Sequence, residues 1–201
     1  GDFTIEANEK AITIASGSQS WTYDGDEHKH ASYTVTYGGE PLTANEDGTY
    51  TLEGNDTLTI SEAAGVKDVA DSAAQNNTYT YALSNEAGYA GGVTATYGDL
   101  AILPVAVTIA AADSGKAYGD PDPAFDDATI GAYIEEELAG INLAVTRSNA
   151  TVNAVGTYEN VLTIGQTAEA LGTAYPNYTF TVEAGDFTIE ANEKAITIAS
   201  G

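Results

Sequence analysis

The chain of 201 residues contains no cysteine and no methionine. Without cysteine there can be no disulfide, no thiolate metal site and no cysteine nucleophile. Positive charge is almost as scarce: six Lys and Arg stand against 30 Asp and Glu, for a formal net charge of −24. A field of that sign repels phosphate backbones and anionic membrane surfaces, so nucleic acid is excluded as a natural partner. No uninterrupted apolar run is long enough to cross a bilayer, so the segment is read as having no membrane insertion. Nor is there a glycine-rich phosphate loop or a basic recognition patch. Signal and anchor sequences are missing from this span too, which an excised piece of a longer chain would lack in any case.

What is present supports folding. The hydrophobic fraction is 43%, so the acidity does not imply disorder. The length suffices for one large domain or two ordinary ones. Acidity of this size keeps a concentrated surface protein soluble and apart from its neighbours.

The organising feature is a repeat. Residues Gly1 to Gly17 read GDFTIEANEKAITIASG, and the same seventeen residues return from Gly185 to Gly201, an offset of 184 residues. Convergence would not preserve the polar residues Ala7-Asn8-Glu9, so the chain reads as one period of a tandem array with the start of the next. A diverged third version runs from Gly98 to Ala110, GDLAILPVAVTIA, with its linker shortened to Pro104. These junctions divide the chain into a closing strand of a preceding repeat (1–8), one β module (9–103), a second (104–191) and the opening strand of a next repeat (192–201). Two modules in series with so short a linker predict an elongated arrangement.

Within the modules the apolar residues alternate, as half-buried strands require. Strands are expected at Phe3–Ile5, Ala11–Ala15, Tyr33–Tyr37, Leu58–Ile60, Thr78–Tyr81 and Val93–Tyr97, then at Leu143–Thr146, Val161–Ile164 and Tyr178–Val182. Their Thr- and Tyr-rich composition suits a sheet. Ile130, Tyr133, Ile134 and Leu138 fall at helical spacing and predict a short helix over 129–139.

Four carboxylates crowd one turn: Asp120, Asp122, Asp126 and Asp127. Hard oxygen ligands of this kind suit Ca²⁺, although no complete twelve-residue calcium loop is present, and solvated turn residues are the plainer reading. His28 and His30 would share a strand face but lack a third convergent ligand. Asp26, His30 and Ser32 fall within one turn, with no oxyanion donor to make a catalytic triad. Trp21 and Tyr23 share a strand face and could stack on a sugar, but alternation with Thr makes them sheet residues first. A Lys–Asn amide cross-link needs both side chains buried beside a carboxyl group. Among Lys10, Lys29, Lys67, Lys116 and Lys194, Lys10 at the polar linker is poorly placed for one. No residue set therefore supports catalysis.

The two modules resemble the MBG-type repeats of bacterial surface adhesins and haemagglutinin-like proteins. The first is similar to the YDG variant through Tyr23-Asp24-Gly25, Gly54-Asn55-Asp56-Thr57-Leu58, Asn77-Thr78-Tyr79-Thr80-Tyr81 and the closing Gly98-Asp99-Leu100. The second is similar to the YGX variant through Val107-Thr108-Ile109, Tyr118-Gly119-Asp120-Pro121-Asp122-Pro123, Gly156-Thr157-Tyr158, Asn177-Tyr178-Thr179 and Gly185-Asp186-Phe187-Thr188-Ile189. The segments Glu62–Gln75 and Glu169–Tyr175 depart from the pattern. The resemblance implies a mainly β chain of two tandem small β modules, β-grasp-like or alternatively Ig-like sandwiches. It implies an extracellular, cell-surface setting on a bacterium, no cofactor, and no enzyme activity. Neighbouring repeats would be the partners, and the modules a stalk projecting a distal binding domain. The alternative is an adhesive repeat that binds host glycan or mucin by multivalency.

Overall fold

The computed structural model describes residues 1–61, 63–131 and 133–198. It is mainly β and forms two compact units, Gly1–Leu103 and Pro104–Gly201. The first unit contains β1 (Ile12–Ser16), β2 (Gln19–Thr22), β3 (His28–Lys29), β4 (Tyr33–Tyr37), β5 (Glu40–Leu42), β6 (Tyr50–Thr51), β7 (Thr57–Ser61), β8 (Gly65–Val66), β9 (Thr80–Leu83), β10 (Val93–Thr96) and β11 (Leu100–Leu103). The second contains β12 (Val105–Ala110), β13 (Ser114–Ala117), β14 (Thr129–Ile130), α1 (Glu135–Leu138), β15 (Val145–Arg147), β16 (Gly156–Ile164), α2 (Ala168–Ala174), β17 (Tyr178–Glu183) and β18 (Gly185–Glu190).

In the first unit the main sheet has the order β10-β1-β4-β5, and β11 pairs with β2. Ile12 and Ile14 alternate with Thr13 on β1, so one face of that strand is fully buried. They pack with Val35, Leu58 and the rings of Tyr37, Tyr79 and Tyr89. Two of the tyrosines bond their polar tips inside: Tyr79 Oη donates to the Ile14 carbonyl at 2.7 Å and Tyr89 Oη to the Glu53 carbonyl at 2.9 Å. In the second unit one sheet has the order β14-β12-β17 and the other β13-β18-β16-β15. Leu162, Phe187 and Ile189 form one buried cluster there. The β16–β18 register shifts between Tyr158 and Leu162. Asn160 takes φ 55° in that bulge, where its N–H meets the Asp186 carboxylate at 2.8 Å. Asparagine is among the few residues that enter the left-handed region readily.

Both units share one device. The first two strands run parallel to the last two: β1 with β10 and β2 with β11, then β12 with β17 and β13 with β18. Each parallel pair steps from one ladder to the next through a place where the backbones touch. A Cβ on Gly98 would collide with the Gly17 backbone, and one on Gly185 would lie 2.5 Å from the Ala112 carbonyl oxygen. Glycine is required there for close approach. The step is pinned by side chains, Ser18 Oγ accepting from the Asp99 N–H at 2.9 Å and Asp113 Oδ1 from the Asp186 N–H at 2.7 Å.

The helix expected over 129–139 is corrected. Thr129–Ile130 is a strand paired with β12, and only Glu135–Leu138 is helical, with Leu138 buried. Ala132, within that span, lies outside the described residues. The better helix is α2, in the segment that departs from the repeat pattern. Thr167 caps it by accepting from the Ala170 N–H at 3.2 Å, and Leu171 anchors it. The repeated ends behave differently from their twins: Phe3 is 89% exposed and Phe187 0%, while Ile196 is 91% exposed and Ile12 0%. Ala199, Ser200 and Gly201, the end of the expected opening strand, lie outside the described residues, as does Glu62.

Candidate functional site

The Asp120–Asp127 turn follows β13 and is held by internal cations. Lys116, on β13, places Nζ 2.7 Å from Asp122 Oδ1. Arg147, at the end of β15, places Nη1 3.2 Å from the same oxygen. The Arg147 side chain is 1% exposed. Its Nη2 donates to the carbonyls of Asn149, Ala150 and Val152 at 3.2, 3.0 and 2.6 Å, and its guanidinium lies 4.4 Å from the Phe187 ring centre. One planar fork thus ties the turn, the β15–β16 connection and the core aromatic together, a task for arginine rather than lysine. Asp120 reaches Lys194 at 3.6 Å, while Asp126 and Asp127 point to solvent. The four acids are not gathered: among the described residues no group of three or more His, Cys, Asp or Glu is placed to hold a metal.

Lys116 Nζ also donates to Asn153 Oδ1 at 2.8 Å. This sets Lys, Asn and a carboxylate side by side, a constellation that attention to Lys10 missed. Asn153 is exposed, and Arg147 shares the Asp122 oxygen. One carboxylate oxygen is shared by two cations, and Asp122 is partly exposed, whereas a Lys–Asn cross-link needs a carboxyl group buried in an apolar pocket.

Trp21 lies on β2 and Tyr23 just beyond its end. Tyr23 is buried. Trp21 is half-buried, and His28 stacks on its ring at 4.9 Å between centroids and 15° between planes. His30 meets it edge-on at 6.5 Å. The two histidines therefore serve the tryptophan. His28 Nε2 lies 3.0 Å from Asp24 Oδ1. The Asp26 N–H and then His28 hold the Asp24 carboxyl below its usual value.

The linker Glu6–Lys10 is the other polar site. Asn8 Nδ2 donates to the Glu53 carboxylate, and Lys10 Nζ donates to Glu53 Oε1 and lies 5.2 Å from the Tyr37 ring centre. The hydrogen bond from Lys10 holds the Glu53 carboxyl below its ordinary value. Behind it, burial and the hydrogen bond to Asp56 push the Tyr89 phenol up to about 12.

These features define a mainly β chain whose turns are tied by internal ion pairs and hydrogen bonds. Residues 107–188, within the second unit, match the family described as MBG domain (YGX type). No curated protein and no solved structure matches the chain.

Proposed function

We propose that the chain is a non-catalytic stalk segment from the tandem repeats of a bacterial surface protein, with the first unit a YDG-type MBG module beside its YGX-type neighbour. The MBG match is consistent with a surface-protein repeat domain. The observation that carries the reading is the parallel pairing of the first and last strands in both units. When tension is applied along the chain, each parallel pair is pulled in opposite directions along its own length. All hydrogen bonds of a ladder are then loaded together, and none can break first. A sheet closed by an antiparallel hairpin at its ends would instead unzip one bond at a time. The ladder between β12 and β17 runs from Val105↔Tyr178 to Ala110↔Glu183 and is the longest of the four.

Single-molecule pulling tests this. The absence of native cysteine lets handles be introduced at will. Pulling the second unit through its chain ends should require several-fold more force than pulling through Ala106→Cys and Thr179→Cys, which are exposed register partners and would open the ladder from one side. Equal forces for the two geometries would remove the mechanical basis of the stalk. Glycan or mucin binding through Trp21 and Tyr23 has less support, because Tyr23 is buried and His28 covers a face of the indole.

A further inference from the structure

We propose that Glu190-Ala191-Asn192-Glu193-Lys194 is a fixed joint that locks the second unit onto the first unit of a following copy of this chain. The inference rests on the tandem-repeat reading and concerns the join between periods. The same five residues occur at 6–10, and each occurrence displays one side of the joint.

At 6–10 the linker is bound to the unit that follows it. The Asn8 N–H donates to the Gly88 carbonyl at 2.8 Å, and the Gly91 N–H to the Asn8 carbonyl at 3.2 Å. A Cβ on Gly91 would lie 2.5 Å from the Lys10 carbonyl carbon, so the two backbones lie flush. Asn8 Nδ2 and Lys10 Nζ both go to Glu53. At 190–194 the linker is bound to the unit that precedes it. The Tyr118 N–H donates to the Glu190 carbonyl at 2.8 Å, Asn192 Nδ2 to the Tyr118 carbonyl at 2.9 Å, and Lys194 Nζ pairs with Asp120 at 3.6 Å.

One local hydrogen bond is common to both places. Asn8 Oδ1 accepts from the Lys10 N–H at 2.9 Å, and Asn192 Oδ1 from the Lys194 N–H at the same distance. The hydrogen-bonding inventory then closes without conflict. An asparagine Nδ2 carries two hydrogens, one for the Tyr118 carbonyl and one for Glu53. A lysine ammonium carries three, enough for Asp120 and Glu53 together. The asparagine backbone is claimed only by the downstream unit. One linker conformation thus serves both neighbours, and its lysine sits between a carboxylate from each side. In a chain with six Lys and Arg, that single cation offsets the repulsion the two acids would otherwise exert.

The test uses a chain of two 184-residue periods, with spin labels on Thr146→Cys of the first period and Thr59→Cys of the second, both exposed positions. Pulsed electron resonance should give one narrow distance distribution. Asn192→Ala with Lys194→Ala at the join, and separately Glu53→Ala in the second period, should each broaden it at least twofold while circular dichroism is unchanged. A broad distribution in the native sequence would overturn the joint. So would a narrow one that all three substitutions leave intact. Either result leaves the pulling experiment on the single unit, and hence the stalk reading, standing on its own outcome.

Discussion

Replacing Arg147 with methionine is the sharpest test of how the second unit is tied together. Methionine keeps the apolar stem and removes the fork. Three carbonyls lose their donor, Asp122 loses one of two cations, and Phe187 loses the guanidinium on its face. Breaking a buried ion pair from one side costs about 3–5 kcal/mol. Asp122 is 26% exposed and keeps Lys116, which places the cost at the lower end, about 3 kcal/mol. For a unit spanning Pro104–Gly201, each kcal/mol lowers the melting temperature by about 4–8 °C, so the loss should be about 12–24 °C. The assay is hydrogen exchange of the slowest amides on β16 and β18 with a urea titration of the same signals. Arg147→Lys should restore little, because an ammonium cannot reach three carbonyls and a carboxylate in one plane. A loss below about 1 kcal/mol for Arg147→Met, the scale of a surface pair, would show that the arginine is decoration.

Gly185→Ala should destabilise the second unit by about 1–3 kcal/mol, the range for overpacking, because its Cβ would meet the Ala112 backbone; a neutral result by thermal melting would mean the ladders can separate at no cost. Phenolate absorbance should show Tyr79 and Tyr89 titrating last, near about 12, since burial raises both. A raised folded value means that their stabilisation is complete below the unfolded value of about 10 and is lost as pH climbs from there toward 12. Stability measured across that window should therefore fall, and Tyr89→Phe should flatten part of the decline. Intact mass should equal that of the unmodified sequence; loss of one ammonia, abolished by Lys116→Arg, would reveal a Lys116–Asn153 amide and refute the counter-ion role of Asp122.

Much of the β structure is legible in the alternation of apolar residues. Ile12 and Ile14, Val35 and Tyr37, and Phe187 and Ile189 all lie on buried faces. Alternation says that a strand has a buried side but not which strand lies beside it, so the parallel pairing of first and last strands is invisible in the pattern. The stretch 129–139 misleads because a strand, a turn and one helical turn can space Ile130 and Leu138 as a continuous helix would. Helix α2 gives too short a period to detect, although Thr167 before Ala168-Glu169 is the kind of cap that marks a start. The acidic turn draws attention through Asp120 and Asp122, yet its partners are inside the chain. The signal was the scarcity of cations: the sole arginine of so acidic a chain is the residue least expected to be spare.

The sequence GDFTIE occurs twice, and at 185–190 it is seated as β18 with Phe187 enclosed. Its seat cannot tell one copy from the other. Any further copy of this sequence offers that groove the same side chains. Between molecules carrying such twins, possession of the groove is decided by tethering and by the rate at which the resident leaves. Covalent order is therefore what turns a set of interchangeable parts into an array with a direction.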